Sequence, residues 1–191
     1  MRIRRFLVLC LPLLGMMKKC EKEPAPAFTL PPLTQAGTNT IGFMIDGRAW
    51  RNYGWLPHSA SEDRNLTSAY FYSGSYPAFR LSAGQSARNV YELFYVDMDS
   101  LLRAGTYPGS AAPVAGKNPP TFRSLQFIDM LTNAAYSSEV AGSRATIVIT
   151  RLDTAQRIVA GTFSGKLGQV NDPTKQVNIT DGRFDVQYRK Q

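Results

Sequence analysis

The sequence predicts an all-β domain, either a single antiparallel β-sandwich or a lipocalin-like barrel of about 8–10 strands. Three observations favour this class. The 191 residues contain 15 Gly and 12 Pro spread along the whole chain, which indicates many turns and no long helices. Runs rich in β-branched and aromatic residues recur between these turn signals. No stretch of helical length has a convincing helical period of apolar residues.

The first predicted strands lie between clear turn signals. Residues 41–46 form a short apolar run that ends at Asp46–Gly47, a dipeptide typical of two-residue hairpin turns. The apolar pattern resumes at Trp50. Residues 100–104 are expected to form one helical turn at most, and residues 105–107 to open a turn-rich loop that reaches residue 120. Further strands are expected over residues 69–72, 78–82, 90–96 and 121–129.

The clearest unit is a C-terminal hairpin. Residues 145–152 and 157–167 form two strands, joined by a turn that opens at Asp153, whose carboxylate can accept hydrogen bonds from backbone amides of the turn. The alternation of the second strand places one set of side chains toward the core: Val159, Gly161, Phe163, Gly165 and Leu167. Phe163, flanked by two glycines, is therefore predicted to be a central core residue.

The last strand is predicted in two parts, residues 177–180 and 183–188. The inward set of side chains changes register at Asp181–Gly182, as a β-bulge or a kink would produce. Asp153, Asp181 and Asp185 are interpreted as turn or edge residues.

Composition supports a packed domain and gives little support to nucleic-acid binding. Hydrophobic residues make up 43% of the chain, enough for a core. The net charge of +8 is concentrated at the N-terminus, where residues 1–19 hold five of the 22 basic and none of the 14 acidic residues. The remainder has 17 basic and 14 acidic residues, scattered rather than striped, so no nucleic-acid partner is expected.

The N-terminus has the features of a signal peptide, predicted over residues 1–19. Residues 1–5 are basic, and residues 6–17 form an apolar run that is shorter than the roughly 20 residues of a membrane-spanning helix. No comparable run follows. The protein is therefore predicted to be exported and not to be an integral helical membrane protein.

Both cysteines, Cys10 and Cys20, lie in this N-terminal segment, so the body of the domain can form no internal disulfide. Cys20 follows the apolar run directly and precedes a charged, Pro-rich stretch, the position of a bacterial lipoprotein acylation site. Lys18 and Lys19 stand where a small residue is usual, so a plain secretory signal, with a secreted or periplasmic protein, is the alternative. Residues 20–40 are predicted to be a lipid-anchored Pro-rich tether and residues 41–191 the all-β domain.

Two segments carry a resemblance. The first segment comprises residues 30–42, which read LPPLTQAGTNTIG, together with Asp46–Gly47 and Trp50. The second comprises residues 149–153, 158–163 and 178–186, the last of which read NITDGRFDV. Together they resemble a family of Bacteroidota lipoproteins of unknown function. The resemblance implies a lipoprotein of the outer membrane or cell surface with an all-β domain, and it supplies no active site.

Few residues suggest chemistry. His58 is the only histidine, so a zinc site with several His or Cys ligands is excluded, and a surface loop is its expected place. Asp97 and Asp99 share one strand face, as a Ca²⁺ ligand pair or a hydrolase acid–base pair would, but a solvated turn at the strand end is the preferred interpretation. No glycine-rich nucleotide loop is present. No metal and no cofactor are expected.

An aromatic cluster offers a possible ligand surface for a sugar or another small molecule, formed by Trp50, Tyr53, Trp55 and Tyr72. The preferred interpretation is that these residues belong to the core. The sequence thus predicts an exported, lipid-anchored cell-envelope domain that binds or scaffolds and is not an enzyme. Its partners are the membrane, through the lipid, and a possible glycan or small ligand. The alternatives are a lipocalin-like small-ligand or glycan binder and, less favoured, a hydrolase that uses Asp97 and Asp99.

Overall fold

The computed structural model describes residues 27–54, 67–87, 89–109 and 122–191. These residues form twelve strands and no helix, which confirms the all-β class and exceeds the expected number of strands. In chain order the strands are β1 (Thr40–Ile45), β2 (Arg48–Arg51), β3 (Thr67–Tyr72), β4 (Ala78–Ala87), β5 (Val90–Met98), β6 (Gly105–Pro108), β7 (Arg123–Asp129), β8 (Ala134–Ser137), β9 (Arg144–Asp153), β10 (Ile158–Gln169), β11 (Asp172–Gln187) and β12 (Arg189–Lys190).

One mixed sheet contains all these strands, in the order β12-β3-β4-β5-β7-β8-β10-β11-β1-β2, with β9 paired to both β10 and β6. Every pair is antiparallel except β12 with β3. The sheet is not closed, which is consistent with the sandwich-like alternative. An isolated parallel bridge between Tyr53 and Gln85 links the chain after β2 to the C-terminal part of β4.

The β1–β2 hairpin confirms the predicted turn. Asp46 and Gly47 have φ angles of 45° and 83°, the left-handed values that both central residues of a type I′ turn require. Asp46 also accepts a hydrogen bond through Oδ1 from the backbone N–H of Asn178, at 2.9 Å. The turn thus ties the hairpin to β11.

The β9–β10 hairpin is also confirmed. Asp153 accepts a hydrogen bond through Oδ1 from the backbone N–H of Gln156 at 2.8 Å, as expected for a carboxylate that opens a turn. In β10 the inward set is as predicted, and Phe163 is 3% exposed. Its ring stacks on that of Phe94 of β5, with centroids 5.0 Å apart. Phe163 is a central core residue, as predicted.

The two predicted C-terminal strands are one bent strand, β11. Asp181 has a φ angle of 52°, and the register of β11 slips by one residue there against both β10 and β1. The extra residue is the predicted bulge, and it places Ile179 before the slip and Phe184 after it on the same buried side.

Some short strands were not expected. Residues 105–108 are strand β6, paired to β9, instead of the start of a loop, and the short strand β8 was not predicted. Gly105 and Pro108 are turn-forming residues, and β8 has only four residues, so local propensity alone gives weak strand signals for both. Both segments form strands because they pair with neighbouring strands, β6 with β9 and β8 with β7 and β10.

The described part of the predicted tether packs on the domain. Pro31 is buried, and a Cβ atom built on Gly42 of β1 would lie 2.4 Å from Cδ of Pro31. The packed domain therefore extends N-terminal of residue 41. Within the described residues, no helix has the length and apolar character needed to cross a bilayer.

Candidate functional site

The three described residues of the predicted aromatic ligand surface do not lie together. Trp50 is fully buried and stacks on Phe43, with ring centroids 4.7 Å apart, so it belongs to the core, as the preferred interpretation has it, whereas the two described tyrosines do not. Tyr53 and Tyr72 are exposed but pair with opposite ends of β4, at Gln85 and Ala78 respectively. Seven residues of strand separate these partners, roughly 23 Å. Trp55, His58 and Cys20 lie outside the described residues.

The two carboxylates of the hydrolase alternative share one cation. Nε of Arg80 lies 3.4 Å from Oδ1 of Asp97, and a terminal nitrogen of the same guanidinium lies 2.6 Å from Oδ1 of Asp99. Burial raises the pKa of Asp97, although Arg80 opposes the shift. Asp97 is a residue of β5 rather than of a turn, and Asp99 follows the strand.

At the end of β5, one guanidinium therefore pairs with two carboxylates that the prediction left to solvent, and Asp99 lies in the bend that follows the strand. An acid–base pair needs two carboxyl groups facing a common substrate space, whereas here the guanidinium lies against both. In the part of the chain that the structure describes, no group of three or more His, Cys, Asp or Glu residues could hold a metal ion.

Asp185 has a role that differs from the prediction, because it is neither a turn residue nor an edge residue. It lies in β11, is 2% exposed, and points to the side opposite to the inward Phe184. Residues 34–38 cover it. Its carboxylate accepts bonds from Gly37 N at 2.7 Å, Ala36 N at 2.9 Å, Thr34 Oγ1 at 2.7 Å, Thr38 Oγ1 at 3.0 Å and Thr38 N at 3.3 Å. These bonds outweigh burial and hold the pKa of Asp185 below its usual value.

Asp185 joins residues 178–186 to residues 30–42. Residues 30–42 and 178–186 also meet through the β1–β11 ladder, in which Ile41 lies opposite Phe184. Beyond Asp185, the side-chain oxygen of Asn39 accepts a hydrogen bond from the backbone N–H of Gln187 at 2.9 Å. These two segments, far apart in sequence, thus form one hydrogen-bonded structural unit.

The opposite side of the C-terminal strands offers a different candidate. Side chains of β9, β10 and β11 that point away from the core form a polar face, termed the outer face below. In β9, for example, Ala145, Ile147 and Ile149 are buried while the alternate residues point outward. The outer face consists of Arg144, Thr146, Val148, Thr162, Ser164, Lys166, Asn178, Thr180 and Arg183.

Two adjoining grooves cross this face. One has a volume of about 320 Å³ and is bordered by Leu33 and Arg183, and the other, of about 210 Å³, is bordered by Arg144 and Lys166. Thr146 and Ser164, which lie directly opposite each other on β9 and β10, line both grooves. The grooves therefore form one continuous depression across three strands.

Two like charges meet on the outer face. Arg144 and Lys166 lie directly opposite each other on β9 and β10, an arrangement of like charges that destabilises a sheet. Among the described residues the ion pairs use other cations, namely Arg48, Arg80, Arg151 and Lys175. The third cation, Arg183, donates to backbone carbonyls of Asp181 and Pro31. Among the described residues that line the two grooves, Asp181 is the one acidic residue.

Sequence reasoning did not identify this face. Strand alternation places Thr162 and Ser164 on the side opposite to Phe163. The register that sets Arg144 beside Lys166 is a property of the folded sheet. Searches of family models, of curated protein sequences and of solved structures found no match to this chain.

Proposed function

We propose that this protein is an exported, lipid-anchored domain of the bacterial cell envelope that binds a partner on its outer face and catalyses no reaction. The observation that carries the proposal is the outer face itself. It is an exposed polar depression built on the most extensively paired strands of the sheet, and its paired cations, Arg144 and Lys166, form no ion pair with any described residue.

The N-terminal sequence supports the export and anchoring. A basic segment, an apolar run of twelve residues and Cys20 follow in the order typical of a bacterial lipoprotein signal. A Pro-rich stretch then leads to residue 31, where the chain packs on the domain. An acyl chain on Cys20 would hold the domain at a membrane, with the outer membrane or cell surface as its expected place.

The filled core supports binding on the surface rather than inside the domain. Phe43 contacts the rings of Trp50, Phe94 and Phe163 at centroid distances of 4.7, 4.5 and 5.7 Å. A lipocalin-like binder needs an apolar cavity at this position. The described interior is occupied by stacked aromatic side chains, so the outer face is the better candidate.

Fractionation of cells that express the full chain tests the anchoring. We expect the wild-type protein to be found in the membrane fraction and to take up a palmitate analogue. The Cys20→Ala variant should lose the label and leave the membrane fraction, whereas the matched Cys10→Ala variant should keep both properties. A Cys20→Ala variant that stays in the membrane fraction, together with an unlabelled wild type, would rule out the lipid anchor and leave a secreted or periplasmic protein.

A further inference from the structure

We infer that the outer face is the binding site for a linear acidic glycan, a sugar polymer with carboxylate or sulfate groups. The inference rests on the proposed function, because it names the partner of the face that the proposal uses. It follows from three properties of the face: paired cations at one end, hydroxyl groups in the middle, and a third cation at the other end.

The direct cross-strand neighbours of Lys166 supply no anion to the paired cations. Lys166 lies between Arg144 of β9 and Asn178 of β11 in the sheet register, so no acidic side chain flanks it across the strands. Neighbouring strands are about 4.8 Å apart, so the two positively charged side chains repel each other. A bound carboxylate or sulfate group would remove this repulsion and could accept hydrogen bonds from both.

The centre of the depression presents hydroxyl groups. Thr146 lies opposite Ser164, and Thr162 occupies the next outward position of β10. Thr146 and Ser164 are exposed. A hydroxyl both donates and accepts a hydrogen bond, which suits the hydroxyl groups of a sugar ring.

The position of the third cation, Arg183, defines the length of the inferred site. Arg183 lies opposite Thr162, four residues along β10 from Lys166. Four residues of an extended strand cover about 13 Å. Cations at the two ends of such a depression fit an extended polymer with repeated negative charges better than a single small anion.

The composition of the face argues against the other polyanions. A single-stranded nucleic acid is usually bound by stacking its bases on exposed aromatic side chains. Among the described residues that line the two grooves, the one aromatic residue is Phe163, which borders the larger groove and is 3% exposed. An acidic polypeptide would use the cations but has no array of hydroxyl groups to match those of Thr146, Thr162 and Ser164.

Binding of defined polymers to the full-length protein, purified in nonionic detergent, tests the inference. The acidic probes are polygalacturonate and chondroitin sulfate. Fully methyl-esterified polygalacturonate has the same backbone without its charges, and polyglutamate has charges without sugar hydroxyls. We expect at least one acidic glycan to bind, with at least tenfold weaker binding of both the esterified polymer and polyglutamate. Affinity should fall as the salt concentration rises.

Variants locate the site. The double variant Arg144→Gln/Lys166→Gln should bind the acidic glycan at least tenfold more weakly. The control Arg189→Gln/Lys190→Gln removes the same charge from the exposed strand β12, outside the grooves of the outer face, and should bind as the wild type does. Thr146→Val/Ser164→Ala keeps all the charges and should also weaken binding, because it removes the central hydroxyls.

The possible results have separate meanings. The inference would be overturned if neither acidic glycan binds or if polyglutamate binds equally well. Equal losses of binding in Arg144→Gln/Lys166→Gln and its control Arg189→Gln/Lys190→Gln would overturn it as well. If only the esterified polymer binds, the protein is still a binding module as proposed, but the inference of an acidic ligand is wrong. If the protein binds the acidic glycan but takes up no palmitate label, the inferred ligand stands and the proposed lipid anchor is wrong.

Discussion

Gly182 of β11 lies directly opposite Phe163 of β10, and a Cβ atom built on Gly182 would lie 2.4 Å from Cδ2 of the phenylalanine ring. The ring thus occupies the volume that any other residue at position 182 would need. The bulge at Asp181 sets this pairing, because it shifts the register of β11 immediately before Gly182. The turn-like dipeptide Asp181–Gly182 therefore has a packing role in the centre of a strand.

Truncation of Phe163 should destabilise the domain strongly. Phe163→Ala removes a ring that stacks on Phe94 and contacts Phe43 and Phe184. We expect a loss of about 3–5 kcal/mol in the free energy of unfolding, measured by urea denaturation, or loss of soluble expression. Tyr76→Ala, a truncation of similar size at an exposed loop residue, should cost less than about 0.5 kcal/mol. Equal small losses in the two variants would contradict the central position of Phe163.

A single methyl group at position 182 should also be costly. Gly182→Ala places Cβ against both the ring and the backbone carbonyl of Phe163, and we expect a loss of about 1–3 kcal/mol. The control is Gly74→Ala, since no atom lies within 4 Å of a Cβ atom at Gly74. Urea denaturation of the two variants should separate them clearly, and a stable Gly182→Ala protein would show that Phe163 can move aside.

Because of Asp185, the free energy of unfolding should decrease at acidic pH. Its pKa in the folded protein is below that of the unfolded chain, about 3.9, so its contribution is fully present above that value and is lost as the pH falls through the folded-state pKa. Asp185→Asn cannot accept as many hydrogen bonds from residues 34–38 and should cost about 3 kcal/mol at neutral pH.

The pH dependence separates this role from simple packing. The stability difference between wild type and Asp185→Asn should decrease below about pH 4, because protonation weakens the wild-type carboxylate as an acceptor. Asp181→Asn is the control, since Asp181 is exposed and asparagine tolerates its left-handed φ angle. A difference that is constant from pH 7 to low pH would show that the negative charge of Asp185 contributes nothing.

Removal of the paired cations should stabilise the protein when no ligand is bound. Arg144→Gln/Lys166→Gln removes like charges that lie directly opposite each other, and we expect a gain of about 0.2–1 kcal/mol at low salt. Arg189→Gln/Lys190→Gln should change stability less. High salt should reduce the gain, because it screens exposed charges. A loss of stability in Arg144→Gln/Lys166→Gln would mean that the two cations stabilise the fold. It would contradict the interpretation that they repel each other until an anion binds.

The sequence by itself determined the strand character, the turns and the inward side of the C-terminal hairpin. The turn at Asp46–Gly47, the acceptor role of Asp153 and the burial of Phe163 depend on contacts within a few residues or on the period of two along a strand. Such local preferences can be read without knowledge of the neighbouring strands.

Only the tertiary structure decided which distant residues meet. Asp185 binds residues about 150 positions earlier, and Trp50 stacks on Phe43 inside the core instead of lining a surface. The outer face likewise exists because the β9–β10 register sets Arg144 opposite Lys166. A slip of one residue in the pairing of two strands would turn these side chains to the other face, and the register itself is set by packing across the whole sheet. For that reason the candidate binding face of this protein is a property of its folded sheet, although every residue in it lies in or beside a strand that the sequence predicts.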